Sequence, residues 1–190
     1  MYQLNRKSGV LLHISSLNGN ESVGTLGKEA YNFIDFMNSA GLSYWQVLPI
    51  GPTGYANCPY QALSSFAGNF MFINIETLCK KYQLDFSTLE HDLSIENFET
   101  ASSSKWKLLK SIFNLVKPRI CSESLLQFKL DNNYWLSNYC LFMAIKEKQN
   151  YTSIYEWPLA FRLKDERTLA KFSQKESELI DFNLFVQFEF

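Results

Sequence analysis

The sequence has little of what a metal centre or a redox site requires. It contains only four cysteines, with no C-x-x-C pair, and two histidines that have no cysteine or histidine at ligand spacing; these are Cys58, Cys79, Cys121, Cys140, His13 and His91. Cysteines scattered in this way are typical of reduced thiols in a cytoplasmic protein. We therefore expect neither a metal ion nor an organic cofactor.

The sequence also lacks a surplus of positive charge and a long apolar run. Its 18 Lys and Arg residues are balanced by 19 Asp and Glu residues, so the net charge is −1. Nucleic acids and anionic membranes are bound by basic surfaces, so neither is an expected partner. No stretch is long enough to span a bilayer, and the first residues do not form a signal-type apolar run. These observations favour a cytoplasmic protein.

Apolar and aromatic residues are abundant. They make up 46% and 16% of the 190 residues, which is enough for one large domain or two small ones. Many aromatic side chains with near-neutral charge suit a protein that binds neutral, hydroxyl-rich ligands. They suit an ordinary packed core equally well.

The first part of the chain predicts a β-α-β unit. Residues 8–15 and 44–48 are short apolar runs, and residues 28–40 between them show helical periodicity. An apolar stripe runs along that helix at Ala30, Phe33, Ile34 and Met37, and Gly41 provides a left-handed C-terminal cap. Strands joined through a helix build parallel sheets, so the predicted class is α/β.

The loop at residues 49–69 is the candidate binding site. Pro52, Gly54 and Pro59 shape its backbone, and it follows the second predicted strand, which we expect to be buried; loops in that position often bind ligands. Its side chains offer rings, amides and hydroxyls, at Tyr55, Asn57, Cys58, Tyr60, Gln61, Ser64 and Ser65. Composition alone nevertheless favours a surface loop stiffened by proline.

The rest of the chain is predicted to be mainly helical. Residues 70–75 form a possible short strand, and residues 83–104 read as a polar, irregular stretch with spread-out acids at Asp85, Glu90, Asp92, Glu96 and Glu99. Helices are expected at 76–82, 105–117, 122–131 with Ser122 as its cap, and 134–149. Residues 179–190 look like an apolar helix that needs a partner surface.

The sequence motifs of the loop resemble those of a known family. Residues 45–53 match W-Q-x-L-P-x-G-P-T, residues 54–61 match G-Y-x-x-S-P-Y-Q, and residues 64–69 match S-x-F-A-G-N. These motifs resemble those of the amylomaltase and disproportionating-enzyme family, the 4-alpha-glucanotransferases of glycoside hydrolase family 77. One position departs from the pattern, because Cys58 stands where the family usually has serine.

The resemblance continues along the chain and implies a fold. Three further motifs resemble the same family: L-L-H-x-x-S-L at 11–17, W-L-x-x-Y-x-L-F-x-A-L-K at 135–146 with Ile145 in place of the leucine at its second-to-last position, and W-P-x-x-x-R at 157–162. The resemblance implies that this chain is the N-terminal part of a (β/α)8 TIM barrel with a largely helical insertion after the second strand. Residues 1–75 would hold the first two β/α units, 76–165 the insertion, and 166–190 a return to the barrel, cut off inside a helix.

The resemblance also implies a function. Family members transfer a segment of an α-1,4-glucan to a new 4-hydroxyl by a retaining mechanism that needs two carboxyl groups. Those acids lie in motifs such as G-D-x-P, which these residues lack, so we assign no catalytic residue and expect the chain alone to be inactive.

What the chain can supply is sugar binding. Tyr60 is expected at the donor sugar and Tyr55 at a glucan beside the cleft, and the full set of expected binding residues is Tyr55, Asn57, Cys58, Tyr60 and Gln61. A non-catalytic glucan-binding module and a product without function are the alternatives.

Overall fold

The structure, a computed structural model, describes residues 6–89 and 97–190, apart from the side chains of Tyr55 and Thr88. His91, Glu90, Asp92 and Glu96 of the predicted polar stretch lie outside the described residues. In chain order the strands and helices are β1 (Gly9–Leu11), α1 (Lys28–Ser39), β2 (Tyr44–Gln46), α2 (Ile75–Tyr82), α3 (Phe98–Val116), α4 (Ser122–Asp131), α5 (Leu136–Lys148), α6 (Leu159–Arg162), α7 (Glu166–Lys175) and α8 (Ser177–Glu189).

The predicted β-α-β unit is confirmed. β1 and β2 pair in parallel, with Val10 opposite Trp45 and α1 between them in sequence. The Trp45 ring packs edge-on against Phe33 of α1 at 4.8 Å between centroids. Gly41 ends the helix with φ of +69°, the left-handed backbone that glycine adopts without steric cost. Ile34 of the predicted apolar stripe is half exposed, whereas Ala30 and Met37 are buried.

Both strands are shorter than predicted, and the reason lies in their hydrogen bonds. Leu12 N–H still donates to the Gln46 carbonyl at 3.1 Å, but the next residues turn into a 3₁₀ helix at Ile14–Ser16. On the other strand, Leu48 N–H donates to Nδ1 of His13 at 3.2 Å instead of to a ladder carbonyl. A side chain thus takes over from the sheet where the strands end.

The predicted strand at 70–75 is wrong. Phe70–Phe72 is a 3₁₀ helix, and α2 begins at Ile75. Two asparagine side chains explain this, because Asn69 accepts the Met71 N–H at 3.0 Å and Asn74 accepts the Thr77 N–H at 2.8 Å. Backbone groups satisfied by such caps need no neighbouring strand.

Two helix starts also differ from the sequence prediction. α3 begins at Phe98 rather than near Lys105, because Asn97 accepts the Thr100 N–H at 3.1 Å and starts the helix earlier. α4 has the predicted length, but its cap position is Cys121 without a side-chain cap bond, and Ser122 is the first helical residue.

The chain packs as two compact units, one from the described part of Met1–Val116 with Phe190 and the other from Lys117–Glu189. The core of the first unit contains Ile14, Leu17, Ala30, Met71 and Phe72. In the second unit α8 packs along α5 and contacts α7, so its partner surfaces include helices of the same unit. Residues 184–187 of α8 are all buried, and four consecutive residues point to different sides of a helix, so α8 is buried on more than one side.

The predicted division at residues 75 and 165 concerns membership of a barrel rather than packing within this chain. It therefore stays a prediction, as do the barrel and the insertion after its second strand. None of the helices in residues 6–89 and 97–190 has the length and hydropathy needed to cross a bilayer.

Candidate functional site

The loop after β2 is closed by a short ladder of backbone hydrogen bonds. At its base Asn69 N–H donates to the Ile50 carbonyl at 3.0 Å. Higher up, Leu63 N–H donates to Pro52 at 2.8 Å, and Thr53 pairs with Ala62 in an antiparallel bridge. Gly54 N–H then donates to the Gln61 carbonyl at 3.0 Å. Residues 54–61 form the end of the loop beyond this ladder, and we call them the tip loop.

The tip loop has an unusual backbone. Tyr55–Asn57 is a 3₁₀ turn in which Ala56 and Asn57 both have φ of +54°. Asparagine tolerates this left-handed conformation, whereas alanine adopts it at a steric cost. At Gly54 a Cβ atom would lie 2.8 Å from the Gln61 carbonyl oxygen, so a side chain there would push the two arms apart. The tip loop is therefore a defined turn.

All five predicted binding residues lie in the tip loop. The Tyr60 side chain is 72% exposed, Asn57 and Gln61 are exposed, and Cys58 is half-buried. The side chain of Tyr55 lies outside the described part of the structure. The sequence prediction thus placed these residues in one segment, and their role in binding sugar stays a prediction.

Two other polar side chains of the loop bond within it, since Thr53 Oγ1 donates to Asn57 Oδ1 at 3.5 Å and Ser64 bonds to the backbone. Ser64 Oγ accepts the N–H groups of Phe66 and Ala67, both at 3.1 Å. Position 68 requires glycine, because a Cβ atom there would overlap the ring of Phe190. These contacts shape the descending arm of the loop and leave the tip loop as its exposed end.

His13 acts as a positioning group in this structure. Its Nδ1 accepts the Leu48 N–H, and its ring meets Phe72 edge-on at 5.4 Å between centroids. Burial lowers the pKa of His13, which favours the neutral imidazole that can accept this bond. These contacts support the interpretation of His13 as a packing histidine.

Sequence reasoning missed a buried ion pair behind the loop. Lys105 Nζ lies 2.6 Å from Glu21 Oε2, and the two side chains are only 4% and 8% exposed. Lys105 also donates to the Met71 carbonyl at 2.7 Å. Burial lowers the pKa of Lys105, and the neighbouring Glu21 carboxylate opposes that shift. The signal was the position of Lys105, which falls in the buried stripe of α3 with Ala101 and Leu108.

The thiols and other possible metal ligands are dispersed. All four cysteines are free, with Cys79 and Cys140 buried and Cys121 exposed. Across residues 6–89 and 97–190, no three His, Cys, Asp or Glu side chains converge in a way that would hold a metal ion. The expectation that the protein needs no metal stays a prediction.

Comparison with known proteins agrees with the sequence motifs. A family model described as 4-alpha-glucanotransferase matches residues 12–190. The chain is 36% identical to the 4-alpha-glucanotransferase of Clostridium butyricum over 184 residues, covering 94% of this chain and 38% of the relative. The corresponding protein of Thermus thermophilus is 35% identical, with 99% of this chain and 38% of the relative covered.

The fold agrees with a solved structure as well. The amylomaltase of Streptococcus agalactiae, solved in complex with acarbose, superposes with a TM-score of 0.88 at 30% identity, over 98% of this chain and 39% of that one. The chain thus spans about two fifths of the length of the proteins it matches. It belongs to the 4-alpha-glucanotransferase family, glycoside hydrolase family 77.

Proposed function

We propose that this chain supplies the glucan-binding tip loop of a 4-alpha-glucanotransferase. The observation that carries the proposal is the tip loop itself, in which a 72% exposed tyrosine, two amides and a thiol share eight residues held by a backbone ladder. A sugar ring has an apolar face that stacks on aromatic rings and hydroxyls that bond to amides. Tyr60 offers the ring, and Asn57 and Gln61 offer the amides.

The proposed substrate is an α-1,4-glucan or malto-oligosaccharide. The Streptococcus agalactiae amylomaltase, which is similar over 98% of this chain, was solved in complex with acarbose. Cleavage and transfer with retention require a carboxylate nucleophile and a carboxylic acid close together. We propose that both come from parts of the family fold that these 190 residues do not contain, since no G-D-x-P motif occurs among them.

The proposed architecture is the N-terminal part of a (β/α)8 barrel with a helical insertion after the second strand. β1 and β2 would be its first two strands, and the tip loop would lie at the carboxyl end of the second, on the face where such barrels carry their active sites. The parallel pairing of β1 and β2 supports this assignment.

The test of sugar binding is a calorimetric titration of the chain with acarbose. We expect Tyr60→Ala to weaken binding about tenfold, because an exposed stacking ring is a typical source of concentrated binding energy. Tyr60→Phe keeps the ring and is expected to lose less. Tyr155, which is 79% exposed outside the loop, supplies the matched control Tyr155→Ala.

Equal binding by wild type and Tyr60→Ala would contradict the proposal. A non-catalytic glucan-binding module is the second candidate, favoured by the separate core of the first unit around Ile14 and Phe72. The two candidates share the tip loop and differ in catalysis. Both candidates are compatible with acarbose binding and a cooperative melt of this chain, so the coding DNA beyond codon 190 separates them: a continuation that carries a G-D-x-P motif favours the transferase, and its absence favours the module.

A further inference from the structure

The buried pair Glu21–Lys105 lies at the centre of a hydrogen-bond network in the first unit. The two oxygens of Glu21 have different partners, since Oε2 pairs with Lys105 while Oε1 accepts the Ile75 N–H at 3.0 Å and Asn74 Nδ2 at 3.3 Å. Asn74 Nδ2 also donates to Thr25 Oγ1 at 2.9 Å. One carboxylate thereby joins the loop after β1, the start of α2 and the middle of α3.

From this pair an unbroken series of hydrogen bonds leads to the base of the binding loop. Lys105 Nζ donates to the Met71 carbonyl at 2.7 Å, and the Met71 N–H donates to Asn69 Oδ1 at 3.0 Å. The Asn69 N–H in turn donates to the Ile50 carbonyl, the bond that closes the loop at its base. The edge-on contact of Phe70 with Trp106, 4.8 Å between centroids, fixes the same segment to α3.

We infer that Glu21 and Lys105 are positioning residues that hold the base of the loop so that its tip is preorganised for glucan. The inference rests on the proposed function for its ligand, but the positioning itself follows from the bonds above. Neither side chain needs to touch the sugar, because the series of bonds ends at the base of the loop.

The energetics of buried charges argue for a positional role. A buried ion pair contributes little net stability, because desolvation offsets the attraction between the charges, and two neutral side chains of similar size often fold as well. What such a replacement loses is the directed bond from Lys105 Nζ to the Met71 carbonyl. Stability and loop order are therefore expected to separate when the pair is neutralised.

The experiment compares the 190-residue wild type with Glu21→Gln/Lys105→Met, which keeps an oxygen for the Ile75 N–H and removes both charges. We measure thermal melting, hydrogen exchange of the Gly54, Leu63 and Asn69 N–H groups, and calorimetric binding of acarbose. Amides of α5, in the other unit, serve as the internal reference for exchange.

The expected result is a cooperative melt, exchange at the three loop amides about tenfold faster, and acarbose binding about tenfold weaker, because ligand must now order the loop side chains. The matched control is Glu76→Gln/Lys80→Met, which neutralises an ion pair of the same 2.6 Å length on the exposed surface of α2. That control is expected to change neither exchange nor binding.

Wild-type exchange rates at Gly54, Leu63 and Asn69 in the neutralised variant would overturn the inference. If that variant does not melt cooperatively, the same exchange measurement is made on Glu21→Asp, which keeps both charges but shortens the reach to Lys105. Wild-type exchange rates at the loop amides of Glu21→Asp would overturn the inference too. If wild type fails to bind acarbose, the proposed function fails. Faster loop exchange in the variants would still support the positioning role.

Discussion

Cys58 is the residue of the tip loop at which this chain departs from the family motif. Its carbonyl accepts the Gln61 N–H at 3.0 Å, a backbone bond that does not depend on the side chain. Its side chain is half-buried in the tip loop, next in sequence to Asn57 and close to Tyr60. A thiol is a weaker hydrogen-bonding group than a hydroxyl, so under the proposed function the departure would lower sugar affinity.

We predict that Cys58→Ser tightens acarbose binding about fivefold, which corresponds to the roughly 1 kcal/mol that a typical hydrogen bond contributes. Calorimetric titration measures the change. Cys121→Ser, at an exposed cysteine outside the loop, is the matched control and is expected to bind as wild type does. Identical affinities for both serine variants would show that position 58 does not contact the sugar.

We expect His13 to make the stability of the first unit depend on pH. Burial lowers its pKa in the folded state, so the unfolded chain binds more protons where the two states differ. The stabilisation is therefore fully present above the ordinary histidine pKa of about 6.5 and is lost as the pH falls below it.

We predict that the free energy of unfolding decreases as the pH falls from about 8 to 5, and that His13→Asn has a smaller pH dependence over this range. Urea unfolding at several pH values measures both slopes. Parallel slopes for wild type and His13→Asn would contradict the assignment of the effect to His13.

At the scale of single residues, the sequence predicted what local patterns encode. Tyr60 could be located in a proline-shaped loop, and Gly41 could be assigned its positive φ. The pairing of Glu21 with Lys105 joins residues 84 positions apart, and no local pattern specifies such a partner. A lysine within an apolar helical stripe was the one visible sign that a buried partner was needed.

Among the elements, α3 illustrates how a cap sets a boundary. The sequence prediction placed its start near Lys105, where the apolar periodicity becomes obvious. Asn97 moves the start to Phe98, since its Oδ1 accepts both the Thr100 N–H at 3.1 Å and the Thr100 hydroxyl at 3.3 Å. The signal was an asparagine followed by a polar first turn, which hydrophobic periodicity alone does not register.

We predict that Asn97→Ala lowers the free energy of unfolding by about 1 kcal/mol, the usual contribution of an N-terminal cap. Asn114→Ala is the matched control, because Asn114 is exposed within the same helix, where alanine is the better helix former. Urea unfolding gives both values. An equal loss of stability in the two variants would mean that Asn97 does not act as a cap.

For the whole molecule, the described part of the sheet is smaller than a stable sheet requires. Two paired strands are marginal by themselves, and large apolar side chains on both of them are exposed, with Leu11 58% and Tyr44 60% accessible. Exposed apolar surface at a strand edge is normally covered by further structure. This agrees with a chain that spans 38% of its curated relatives.

We predict that the 190-residue chain releases no glucose from maltotriose. The proposed retaining transfer would need two carboxyl groups about 5 Å apart, and the G-D-x-P motif expected to carry one of them does not occur in these residues. A coupled glucose assay measures the reaction, with the Thermus thermophilus 4-alpha-glucanotransferase as the positive control. Steady turnover by this chain alone would contradict the proposal that the reacting acids lie elsewhere.

The most direct measurement of the central claim is an NMR titration of the isotope-labelled chain with acarbose. We expect the largest chemical-shift changes on the amides of residues 54–61, with smaller changes at the base of the loop near Asn69. Shift changes confined to other segments, or none at a concentration that saturates a relative, would contradict the claim that this loop holds the glucan.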